Sequence, residues 1–158
     1  MEEPIVAMPT TSAAPTTEDE RTMAVLAHAL QVVGGWIAPL VIFIVKRQSR
    51  FVSFHALQVL LLHLLFMAIS VCLVVFWIAG ILLAILNSHG GHDSPPIAIF
   101  LLMPLAWLGF MGIWVFTIIV AVVYAIKAGR GEWAEYPILG RWARSILKIG
   151  PHGTNWQQ

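Results

Sequence analysis

The sequence predicts an all-α fold: an integral membrane three-helix bundle with a disordered N-terminal tail and a C-terminal interfacial amphipathic helix. Three observations carry that reading. Apolar types make up 59% of the 158 residues and charged types 11%, against roughly 45–50% and about 25% in ordinary globular chains. Between Arg50 and Lys127 the only formal charge is Asp93. Eight of the nine Lys and Arg residues flank the apolar segments on what three crossings would make a single side. Such a composition excludes a water-soluble enzyme. The basic residues are too few and too scattered to follow a phosphate backbone, so the expected partner is the lipid bilayer and not nucleic acid. The single cysteine, Cys72, forbids an intramolecular disulfide and reads as an inert buried thiol.

Residues 1–22 read as a disordered polar tail, rich in Thr, Ser and Pro. Glu2 and Glu3 stand where a signal peptide would be basic. Thr17 with Glu20 three residues on fits a capping box, so a helix begins there. Residues 23–128 read as the membrane domain, with spans at about 24–45, 57–86 and 97–127. The first is the weakest, carrying His28, Gln31, Gly34, Gly35 and Pro39. A helix of that length covers roughly 33 Å, enough for a core of about 30 Å. A kinked span is expected, and an interfacial helix over 20–33 followed by a short insertion is the alternative. The other two segments are long enough to cross with tilt, and Pro104 marks a possible start of the third span.

Orientation follows from lysine and arginine. Three crossings put the N-terminus outside and the C-terminus in the cytoplasm, in a bacterial inner membrane. Residues 129–158 then form an inner-surface tail with an amphipathic helix at about 137–148. Its Ile138, Leu139, Trp142 and Ile146 fall on one side, and Arg141, Arg144 and Lys148 lie roughly opposite, toward lipid phosphate.

Two segments carry a recurrent pattern: Lys46–Gln58, including Phe51, His55 and Gln58, and Ala125–Pro137, including Lys127, Ala128, Gly131, Glu132, Tyr136 and Pro137. With His28 and Pro39 upstream, they resemble the family of small bacterial membrane proteins that includes MamF and MmsF. More remotely they are similar to the twenty-kilodalton membrane subunit of the chloroplast inner-envelope import machinery. The resemblance covers residues 22–145. It implies an inner-membrane protein without assigned catalytic residues; the magnetosome members are implicated in crystal maturation and the chloroplast relative in a protein-conducting assembly.

Individual residues support little chemistry. His55 and Gln58 share a helix face and are expected to bond the preceding loop or a neighbouring helix end. His63 lies deeper and is expected in an interhelical hydrogen bond. On the three-span topology His28 sits near the outer face, on the order of 15 Å from His63 in depth, which excludes a bis-histidine haem. His89, His92 and Asp93 are weak metal candidates in a glycine-rich outer loop, otherwise a solvated turn. Gly80 with Ala84, and Ala121 with Ala125, form small-residue ridges for helix packing within the chain or between copies. Trp133 and Trp142 suit the inner interface, Trp36 and Trp107 the outer half, and Trp77 and Trp114 packing.

No catalytic motif and no carboxylate lies within a span, so neither a cofactor nor enzymatic activity is expected. The expected function is a non-catalytic scaffold or accessory subunit, packing laterally as a homo-oligomer or in a larger membrane complex. An oligomeric channel or translocation component is the second reading.

Overall fold

A computed structural model describes residues 15–87 and 97–150. These form five helices: α1 (Glu18–Gly34), α2 (Ile37–Val45), α3 (Arg50–Asn87), α4 (Ile97–Gly129) and α5 (Leu139–Leu147). The candidate ligands His89, His92 and Asp93 lie outside the described residues, as does most of the polar tail. Among the described residues no three His, Cys, Asp or Glu side chains gather as a metal site.

α1 starts at Glu18 because Thr17 caps it: the Thr17 hydroxyl accepts from the Glu20 amide at 3.2 Å and the Glu20 carboxylate accepts from the Thr17 amide at 2.9 Å. The polar tail therefore ends earlier than residue 22. Ala24, Ala27, His28 and Gln31 are the buried residues of α1. Their i, i+3, i+4, i+7 spacing is one helix face.

The expected span at 24–45 is not one continuous helix. At Gly35 the backbone turns with φ 55°, a conformation glycine adopts without a Cβ clash. The chain then doubles back as α2. Pro39 does not kink a long helix; it stands in the first turn of α2, where its missing amide costs nothing. Two contacts prove the reversal. Ile42 packs with Ala27 of α1 and with Val52 and Ala56 of α3, and Lys46 Nζ lies 2.7 Å from Asp19 Oδ2. A straight helix would hold residues 19 and 46 roughly 40 Å apart. The N-terminus of α1 thus lies at the same end of the molecule as the 46–50 turn.

α3 and α4 are the two helices long and apolar enough to cross a membrane. Their apolar windows are almost wholly unburied by the chain itself, which separates them from core helices of a soluble protein. Pro104 lies inside α4 and does not start it. α1 stands between their bases, with Val25 against Gly129 and Ala24 against both Phe51 and Ala128. Beyond α1 the two long helices meet where Phe66 stacks on Phe110, 5.4 Å between centroids.

The core sits at one end. It comprises the α1–α2 hairpin, residues 51–59 of α3, residues 121–128 of α4 and the segment 131–149. α5 closes it by setting Ala143 and Leu147 against Phe54, Leu57 and Leu61. Its exposed stripe is Ile138, Trp142 and Ile146. Leu139 is buried instead of sharing that face, and Arg144 is buried instead of facing lipid phosphate.

Candidate functional site

After α4 the chain runs as an extended strap over residues 132–136, and three side chains hold its backbone. Gly131 opens it with φ 79°; a Cβ there would stand 2.6 Å from the Thr16 hydroxyl. The His55 Nε2–H donates to the Glu132 carbonyl at 3.2 Å. The Gln58 amide donates to the Ala134 carbonyl at 3.2 Å and accepts from the Tyr136 amide at 2.6 Å. The Tyr124 hydroxyl donates to the Glu135 carbonyl at 2.7 Å. Backbone groups that lack helical partners are thereby satisfied without water.

The strap returns the favour through Tyr136, which is buried beside His28 and His55. Tyr136 Oη lies 3.0 Å from His28 Nδ1, and His28 Nε2 lies 3.1 Å from His55 Nδ1. With one proton on each ring, the roles are forced. A carbonyl can only accept, so His55 carries its proton on Nε2 and accepts at Nδ1. His28 must then donate from Nε2 and accept at Nδ1, and Tyr136 must donate. The result is a one-directional relay from Tyr136 through His28 and His55 to the Glu132 carbonyl. Burial holds the Tyr136 hydroxyl well above its ordinary range, so it remains a donor.

Beside the relay, the Gln31 amide is buried close to the Tyr136 hydroxyl, and neither its nitrogen nor its oxygen makes a well-formed hydrogen bond. Arg144 braces the other side of the strap. Its Nε donates to Glu135 Oε1 at 2.6 Å, its Nη1 to the Gly150 carbonyl at 2.6 Å, and its guanidinium lies 4.8 Å from the Phe54 ring centre. At the N-terminal edge, Ser49 donates to Glu20 at 2.7 Å. That bond, with those from Thr17, holds the Glu20 carboxyl below the usual range despite partial burial.

Between Pro137 and Leu139 the strap makes a three-residue turn. The Leu139 amide donates to the Pro137 carbonyl at 2.8 Å, and Ile138 adopts φ 70°, ψ −59°. This is the rare positive-φ γ-turn, strained for a β-branched residue. Gly140 fits immediately after it, because a Cβ there would lie 2.6 Å from Glu135 Cβ.

The motif residues largely converge here. His28, His55, Gln58, Glu132 and Tyr136 form the relay and the strap ties. Phe51 packs edge-on against Trp133, 5.2 Å between centroids, and Ala128 packs on Ala24. Lys127 lies over Tyr124 at 5.3 Å. Pro39 and Lys46 belong to the hairpin. His28 lies at the same end of the molecule as His55, 3.1 Å from it, and not at the opposite end as the three-span reading expected. Among the described residues His63 bonds only the Val59 carbonyl of its own helix, at 3.1 Å. Ala121 is buried, while a Cβ at Gly80 would touch nothing. Cys72 and Trp114 are exposed, not packed inside the chain. The sequence reading missed Tyr124 and Arg144 as ties; the single tyrosine among the spans was the available signal for the first.

Residues 19–143 match the model of a family described as the magnetosome magnetite crystal formation protein family. No curated protein and no solved structure gives a significant match.

Proposed function

The chain belongs to the magnetosome magnetite crystal formation protein family, and from that premise we propose that it is a non-catalytic membrane accessory protein serving crystal formation as a lateral scaffold. The observation that carries this reading is the division of labour along the helices. At the base, polar side chains are tied to backbone and to each other. Farther along, Leu64, Val71, Val74, Phe76 and Ile78 of α3, and Leu105, Trp107, Leu108 and Trp114 of α4, are all exposed. Such surfaces suit lipid, further copies of the chain or a larger complex.

The topology that best suits the fold is two crossings, α3 and α4, with the α1–α2 hairpin entering from the basic side and returning to it. All nine Lys and Arg residues then lie at one end, which by charge bias faces the cytoplasm of an inner membrane. Both ends of the described chain share that side, in place of an external N-terminus. A channel is less well supported, because His28, Gln31, His55 and Gln58, which would have to line it, are buried in the base.

The test is the intact mass of the complex extracted from its native membrane into lipid nanodiscs, paired with crystal size in cells lacking the chain. A defined homo- or hetero-complex together with altered crystals supports the scaffold. A monomer with unaltered crystals overturns it.

A further inference from the structure

The molecule is much wider at one end than at the other. α1 meets α4 with Val25 at Gly129 and His28 beside Tyr124, so the tip at Gly35 stands near the level of residue 117. From residue 128 to that level is roughly 16 Å of helix, about the depth of one leaflet of a core about 30 Å thick. The hairpin therefore ends near the middle of the bilayer. Its outward side is apolar: Val33, Trp36, Ile37, Val41, Ile44 and Val45 are exposed.

On the basic side, four helices share the leaflet, and α5 adds the apolar stripe Ile138, Trp142 and Ile146 at the same end. In the opposite leaflet only α3 and α4 continue among the described residues. At a diameter of about 10 Å, each helix occupies about 80 Å², giving about 320 Å² against about 160 Å² before α5 is counted. The wide end also carries Arg47, Lys127, Arg141 and Lys148, besides Lys46 and Arg130, which are paired with Asp19 and Glu132. That charge complements anionic headgroups and fixes which leaflet receives the extra volume.

We infer that the chain is a leaflet-selective wedge, whose basal end fits an anionic lipid monolayer on the convex face of a curved membrane. The hairpin and the α5 stripe are its lipid-binding surface, and curvature is what that surface recognises. The inference rests on the two-crossing topology proposed above.

The test reconstitutes the full chain into mixed vesicles of phosphatidylcholine and phosphatidylglycerol, about 30 nm and about 200 nm across. Because every Lys and Arg lies at the wide end, external trypsin cleaves only copies with that end outward. Outward copies are expected to be enriched at least about threefold per lipid on the small vesicles, and inward copies depleted from them. The double variant Trp142→Ser, Ile146→Ser, which alters only exposed residues, reduces the enrichment.

Equal density on both sizes in both orientations overturns the wedge while leaving the topology standing. Fragments cut at Arg21 in one population and at Arg141 in the other would overturn both. Size-independent density with high-yield Cys72–Cys72 cross-linking also overturns it, by showing that a second copy fills the narrow end.

Discussion

Lys46 and Asp19 are 27 residues apart and joined by a 2.7 Å ion pair. The pair is partly exposed, so its own contribution to stability is small, within about 0–1 kcal/mol. Its importance is geometric, since it brings the start of α1 to the end of α2. In a Cys72→Ala background, Thr16→Cys and Ser145→Cys are expected to react with a membrane-impermeant thiol reagent from the same side of sealed vesicles. Reaction from opposite sides would contradict the hairpin.

The relay makes its members interdependent. His55→Leu leaves the Glu132 carbonyl and the His28 Nε2–H without partners and is expected to destabilise the protein by about 1–3 kcal/mol. Tyr136→Phe removes only the terminal donor and should cost about 1–2 kcal/mol. A double-mutant cycle between His55 and Tyr136 in detergent unfolding should be non-additive, because they act through one histidine. Strict additivity would mean the chain is not coupled.

Gln31 predicts the opposite sign. Its two amide atoms are buried without a well-formed hydrogen bond, the Tyr136 hydroxyl being the nearest polar group to offset the loss of water, and groups left unsatisfied carry a desolvation penalty of about 1–3 kcal/mol. Gln31→Met, close to it in shape, is therefore expected to raise the unfolding temperature. A fall would show that the interaction of the amide with the Tyr136 hydroxyl outweighs that penalty.

Gly140 has no room for a side chain. Gly140→Ala places a Cβ against Glu135 and within 3.1 Å of Gln58 Oε1, displacing the strap at two of its ties. A loss of about 1–3 kcal/mol is expected, with faster proteolysis after Glu135. Wild-type protease resistance would show that the strap shifts freely.

Acid should loosen the hairpin edge first. The Glu20 carboxyl lies below its unfolded value because Ser49 and Thr17 donate to it. Its stabilisation is therefore present above the unfolded value and is lost as pH falls through the lower, folded one. Amide exchange in the first turn of α1 is expected to rise below about pH 4, and to rise less in Glu20→Gln. Equal acid sensitivity in that variant would assign the effect elsewhere.

The elements set by local chemistry were legible in the sequence. Thr17 and Glu20 announced the start of α1, long apolar runs announced most of α3 and α4, although α3 starts at Arg50 and not near residue 57, and the helix after Pro137 was placed within two residues. The reversal at Gly35 was not, because a mostly apolar segment of 22 residues suffices for a crossing and nothing local decides between continuing and returning. The distinguishing signal was the single buried face of Ala24, Ala27, His28 and Gln31, which a helix surrounded by lipid would not need. Arg144 was misplaced for a related reason: helical phase puts it opposite Trp142, but only the fold reveals Glu135 and Phe54 on that side. The motif residues His55 and Gln58 were expected to bond the preceding loop or a neighbouring helix end; they hold instead a strap that lies 76 residues or more away in sequence.

That separation dictates an order of events during synthesis. His28, His55 and Gln58 leave the ribosome long before residues 132–136, so they enter the membrane without the groups that will satisfy them. Until Tyr136 and its neighbours arrive, the base must stay open to water or to the insertion machinery. The final closure of the base is accordingly performed by a segment that follows the last long helix, and a chain released at Gly129 would keep both long helices yet have nothing to shut.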